Sequence, residues 1–166
     1  MRLLVDGNNL MFALAEVAID ADRAELPRIL ARFAQRQGVA ATVVFDGRPH
    51  RPRGAEDVPP EGPAGVEIYY SGTRTADEVL AELVDADSAP RQLMVVSSDR
   101  QVQKYARRRR CKVIDALDFA RLLKAPAAPR RLSEPRDKMQ GLRKGQVDKW
   151  LKEFGLGSIS KDSGEK

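Results

Sequence analysis

The chain carries a single histidine, His50, and a single cysteine, Cys111. Two-histidine acid–base catalysis, poly-histidine or cysteine zinc sites, and an intramolecular disulfide are therefore excluded. Chemistry falls to carboxylates, hydroxyls or a bound metal. Four aspartates stand out by position. Asp6 ends the apolar run Leu3-Leu4-Val5, and Asp46 ends Thr42-Val43-Val44-Phe45. Asp99 follows Leu93–Val96 after Ser97 and Ser98, and Asp77 lies at the start of the helix that Thr75 opens. If these runs are parallel strands, all four acids reach one rim, outside the strand carboxyl ends, where open α/β sheets bind ligands. Asn9, Ser97 and Ser98 add neutral oxygen ligands or hydrogen-bond donors, and Glu78 is a further acid beside them. Clustered carboxylates repel, and each is costly to bury unpaired. A divalent cation relieves that repulsion. Oxygen-only ligands favour Mg²⁺ or Mn²⁺ over Zn²⁺. Such an ion lowers the pKa of a bound water and stabilises a pentacovalent phosphate.

Each acid also has a purely structural reading. Aspartate is favoured at turns and helix N-termini because its carboxylate caps free N–H groups. Asp46-Gly47 reads as a turn, Asp77 suits the positive end of a helix dipole, and Asp115 reads as a cap. Thr75 with Glu78 three residues on forms a capping box. Only the joint pattern of four acids on one rim points beyond capping.

A phosphate side accompanies the acids. The net charge of +5 conceals a division. Residues 1–99 hold 10 basic and 16 acidic side chains, a net of −6, whereas residues 100–152 hold 17 and 5, a net of +12. A basic block beside an acidic half points to a polyanionic partner, against the plainer reading of a solvated face. Arg100, Lys104, Arg107 and Arg108 fall on one face of a helix that starts beside Asp99. Cations there hold phosphate that the acids alone would repel, although those in the last turn also favour the helix dipole. Arg74 lies near Asp77, and Arg130 and Arg131 extend the basic stretch into a linker; no base-reading pattern is visible. Tyr69 and Tyr70 read as half-buried strand residues before base platforms.

The elements that must position these residues alternate. Strands are expected at 2–6, 42–45, 66–70, 93–96 and 113–114, with Gly7-Asn8-Asn9 as a turn after the first. Helices are expected from Leu10, over 23–37, from Thr75, over 100–109 and over 116–124. The strands are short, nearly continuous apolar runs, as in a parallel sheet covered on both faces. Residues 47–64, with five prolines and three glycines, read as a long mobile loop. Residues 125–141 read as a basic linker. Val147, Trp150, Leu151 and Phe154 form the apolar stripe of a last short helix, and 157–166 reads as a disordered tail. The division is a domain at 1–124 and an appendage at 125–166. No apolar run reaches the roughly 18 residues of a membrane span. The N-terminus meets Asp6 too soon for a signal peptide. A reducing cytoplasm is the expected compartment.

Val5-Asp6-Gly7-Asn8-Asn9-Leu10, Val44-Phe45-Asp46-Gly47, Thr75-Ala76-Asp77-Glu78 and Val95-Val96-Ser97-Ser98-Asp99-Arg100 come in the order and spacing of the YacP-like NYN domain family, which belongs to the PIN-like ribonucleases. The resemblance covers roughly residues 1–124, and Gly141 to Gly155 is similar to the ending of some bacterial members. It implies an α/β fold, a PIN-like (Rossmannoid) three-layer α/β/α sandwich with a central parallel sheet. It also implies a metal-dependent endoribonuclease using Mg²⁺ or Mn²⁺. By the same resemblance Asp6, Asp77 and Asp99 are the catalytic, metal-binding acids. Asn9 supports the first, and Asp46 matches a further strand-end acid. Asn8 departs from the family's usual Tyr. Members of the family include one that cleaves messenger RNA in association with the ribosome, so RNA and a ribosome are the expected partners. The alternative function is a non-catalytic RNA- or ribosome-binding module. A phosphatase-like enzyme is disfavoured, because the second Asp of haloacid-dehalogenase sites is replaced here by Asn8.

Overall fold

The computed structural model describes residues 1–49 and 62–125. Five strands, β1 (Arg2–Asp6), β2 (Ala40–Phe45), β3 (Val66–Tyr70), β4 (Leu93–Val96) and β5 (Lys112–Ile114), form one sheet. Five helices accompany them: α1 (Gly7–Glu16), α2 (Glu25–Gln37), α3 (Ala76–Ala86), α4 (Arg100–Arg108) and α5 (Ala116–Lys124). The strand order is β3-β2-β1-β4-β5 and every pairing is parallel. The chain therefore grows outward from β1 on one side, through β2 and β3, then returns to β1's other side with β4. The reversal of strand order lies between β1 and β4, the crevice where such sheets bind ligands.

Side-chain alternation along each strand feeds two faces. Leu4, Val44, Leu93 and Val95 pack with Val79, Leu80 and Val84 of α3 and Val102 and Ala106 of α4 in one buried cluster. Leu3, Val5, Val43, Phe45, Met94 and Val96 are equally buried and, by alternation, face the opposite layer. There α1 and α5 pack together, α2 packs on β2 and β3, and Phe33 of α2 meets Phe119 of α5 edge-on with ring centroids 5.2 Å apart. The result is the expected three-layer α/β/α sandwich. Helices α2 to α5 follow the sequence reading closely. Gly38 ends α2 in the left-handed conformation that a residue without Cβ adopts freely.

One element is corrected. Gly7-Asn8-Asn9, expected as a turn, is the first turn of α1, with Asp6 as its N-cap. The chain passes from strand to helix with no intervening residue. Gly7 makes this passage possible: a Cβ there would lie 2.5 Å from the Phe45 ring and 2.9 Å from the Val44 carbonyl oxygen. A 3₁₀ turn at Pro90–Gln92 also precedes β4. His50, most of the loop at 47–64, Arg130, Arg131, the linker, the Val147–Phe154 stripe and the tail lie outside the described residues. Among the described residues, no helix is long and apolar enough to cross a membrane.

Candidate active site

Three strand ends and two helix starts build the rim. Asp6 is the last residue of β1 and is 2% exposed. A buried carboxylate needs hydrogen-bond donors, and α1 supplies them. The Asn9 backbone N–H donates to Asp6 Oδ1 at 3.1 Å, and the Asn9 side-chain amide donates to Oδ2. Ser97, fully buried after β4, donates its hydroxyl to Asp6 Oδ2 at 3.2 Å. The same hydroxyl accepts the Asp99 backbone N–H at 3.1 Å. Ser97 thus ties β1 to the start of α4, across the reversal of strand order. Burial raises the Asp6 pKa above the ordinary carboxylate range. The Asn9 and Ser97 hydrogen bonds oppose that rise, and the Asp46 charge adds to it.

Asp46 joins two helix starts. Its Oδ2 accepts from Asn8 Nδ2 at 2.6 Å, and its Oδ1 accepts the backbone N–H of Ala76, the first residue of α3, at 2.7 Å. The Asn8 Oδ1 atom is buried without a hydrogen-bond partner. Thr75 and Glu78 complete the start of α3 as the expected capping box, with Glu78 Oε2 accepting the Thr75 N–H at 3.0 Å. That fixed turn presents Asp77 to solvent. Partial burial raises the Asp77 pKa, and the charges of Asp99, Asp6 and Asp46 raise it further. These couplings bring the four aspartates into one electrostatic neighbourhood. Asp99 is the N-cap of α4, its Oδ1 accepting from Gln101 N at 2.6 Å and Val102 N at 3.1 Å. Ser98 is exposed beside it.

The basic helix face stands as expected. Val102 and Ala106 are buried, while Arg100, Lys104, Arg107 and Arg108 are exposed. Among the described residues none of the four pairs with an acid, and Arg107 only reaches Gln103 Oε1 at 3.3 Å. Arg74 is different: it pairs with Glu82 at 2.7 Å on the exposed side of α3. Tyr70 is half-buried against Phe45, at 5.7 Å between ring centroids, whereas Tyr69 is 40% exposed.

The donor set around the rim consists of carboxylate, hydroxyl and amide oxygens, the chemistry of a Mg²⁺ or Mn²⁺ site. Among the described residues, however, no three His, Cys, Asp or Glu side chains already converge as a ligand group. The bonds of Asn8 and of the Ala76 N–H to Asp46 leave no local signal in the sequence, because each spans a long stretch of chain.

The sequence profile of the YacP-like NYN domain matches residues 3–159. No curated protein sequence matches. Among solved structures, the chain is similar to Rae1 (YacP) from Bacillus subtilis, with 26% identity, a TM-score of 0.58, and coverage of 74% of this chain and 73% of that one. It is also similar to a tryptophan-to-leucine mutant of that protein, with 24% identity, a TM-score of 0.56, and 74% of each chain covered. The sandwich, its reversal at β1 and the profile match over nearly the whole chain agree: this protein belongs to the YacP-like NYN domain family, whose PIN-like fold is that of nucleases.

Proposed function

We propose that the protein is a Mg²⁺- or Mn²⁺-dependent endoribonuclease that hydrolyses phosphodiester bonds. The observation that carries this reading is the placement of four aspartates at the ends of β1, β2 and β4 and the start of α3, where burial first and neighbouring carboxylates second raise the Asp6 and Asp77 pKa values, beside a helix with four cations that no described acid pairs. Asp6, Asp77 and Asp99 would hold the ion, and Asp46 would support them from its bonds to Asn8 and Ala76. Bound there, a divalent ion would activate water and offset phosphate charge. Asn9 and Ser97 keep Asp6 in one orientation, with Ser98 exposed beside the last acid and Glu78 setting the turn that carries Asp77. Arg100, Lys104, Arg107 and Arg108 would take the flanking phosphates, with Arg74, Arg130 and Arg131 as further contacts. The net of +12 over residues 100–152 suits messenger RNA engaged on a ribosome. The test is cleavage of labelled single-stranded RNA, and of translating ribosomes, in Mn²⁺, Mg²⁺ or EDTA, with Asp6→Asn as control. Cutting that needs both the metal and Asp6 is expected. Cutting that survives Asp6→Asn or EDTA would overturn the assignment.

A second reading has its own observation. Asp6, Asp46 and Asp99 each accept backbone N–H groups at a helix start, so three of the four acids already have structural work. A non-catalytic RNA- or ribosome-binding module would need no more. It requires RNA affinity that is indifferent to metal and to Asp77→Asn.

A further inference from the structure

Phe12 has no evident structural purpose. Its neighbours on the inner side of α1, Leu10, Ala13 and Leu14, are buried, whereas Phe12 is 75% exposed. An apolar ring left in water forgoes the stabilisation that burial of a large apolar side chain provides. Single exposed apolar residues are common, so position must decide. Phe12 lies four residues after Asn8 and three after Asn9, the two residues that hold Asp46 and Asp6. Residues at these spacings are neighbours on a helix surface. Long side chains on a helix also point back toward its N-terminus, which for α1 is the carboxylate rim. The other large apolar side chain exposed among the described residues is Tyr69. It stands level with Val44 and Asp6 across the sheet, on the same rim. Among the described residues the two exposed aromatics thus belong to elements that meet the rim, Tyr69 near the end of β3 on the α3 side of the sheet and Phe12 in α1 on the other side.

We infer that Phe12 is a stacking platform for a nucleobase of single-stranded RNA whose phosphate lies at the aspartate rim. The inference rests on the RNA reading above and adds a base-binding position to it. A flat ring in water beside a phosphate site offers what any base can use, since stacking on aromatics is tolerant of sequence. Phe12 touches no reacting group, so it acts on binding and not on the chemical step.

The test uses the full chain carrying Asp6→Asn, with fluorescein-labelled single-stranded RNA in Mg²⁺. Phe12→Ala is expected to weaken binding about 5- to 150-fold. Phe12→Leu should weaken it to a similar degree, because it keeps apolar area without a π face, and Phe12→Trp should retain affinity. An RNA with abasic positions should bind the parent and Phe12→Ala alike. Equal affinity of parent and Phe12→Ala for normal RNA, or full affinity in Phe12→Leu, overturns the platform and leaves the RNA reading standing. Failure of the parent protein to bind RNA at all overturns both.

Discussion

At the scale of the residue, the site is held together by unequal demands on four carboxylates. Asp6 is buried and has three donors; Asp77 is exposed, and its pKa is raised first by partial burial and then by its acidic neighbours. The difference separates a carboxylate fixed by the fold from one exposed to whatever neutralises the cluster. Unfolded, Asp77 ionises near the ordinary value of about 3.9; folded, it keeps its proton to higher pH. Between those values the folded state binds more protons, so stability falls as pH rises through the window and stays lower above it. Asp77→Asn should therefore raise the melting temperature in EDTA at neutral pH by about 1–4 °C, the scale of an exposed charge in a domain of this size. The gain should vanish as pH falls below the unfolded value, where the wild-type side chain is protonated in both states. Saturating Mn²⁺ should stabilise wild type more than the variant. Melting curves across pH, with and without metal, check all three, and a lower melting point for Asp77→Asn in EDTA would contradict the repulsion.

At the scale of the element, the site depends on helices that begin where strands end. The passage from β1 to α1 is the tightest. Phe45 is fully buried and the Val44 carbonyl belongs to the sheet, so neither atom facing Gly7 can retreat cheaply. Gly7→Ala should cost about 1–3 kcal/mol, the range for overpacking, and denaturant unfolding measures it. A neutral effect would mean that α1 can shift on the sheet, and with it Asn8 and Asn9. The same junction shows where sequence reasoning reached and stopped. Apolar runs and spacings locate the five strands and the five α-helices, though not the start of α1 or the 3₁₀ turn, because burial on two faces leaves a local imprint. Gly7-Asn8-Asn9 reads as a turn because glycine and asparagine favour turns. Their tertiary roles, close approach to Phe45 and anchoring of Asp46 and Asp6, are set by residues far along the chain. The acids were legible for the opposite reason: each ends a strand or starts a helix, and parallel topology gathers such positions on one edge. Which strands adjoin, and hence that Ser97 reaches Asp6 from 91 residues away, is written in no local pattern.

At the scale of the whole molecule, charge determines what can approach the acids. Phosphate is repelled by four clustered aspartates unless cations offset them at short range, since exposed charges farther apart than about 8–10 Å are largely screened. Helix α4 is capped by Asp99 and begins its cationic face at the next residue, Arg100, with its apolar side buried in the core. If single-stranded RNA binds there, each phosphate contact releases counterions and contributes about −0.7 to the slope of log affinity against log salt. Lys104→Ala with Arg107→Ala should therefore flatten that slope by about 1.4. Alanine is a strong helix former, so α4 should persist and unfolding should change little. The corresponding change at Arg130 and Arg131 measures the share taken by the basic stretch beyond α5. Binding isotherms on the full chain at several salt concentrations decide between the two. A slope unchanged by the α4 pair but flattened by the second pair would move the phosphate contacts away from the acids. In that case the divalent ion alone would have to offset phosphate charge at the aspartates.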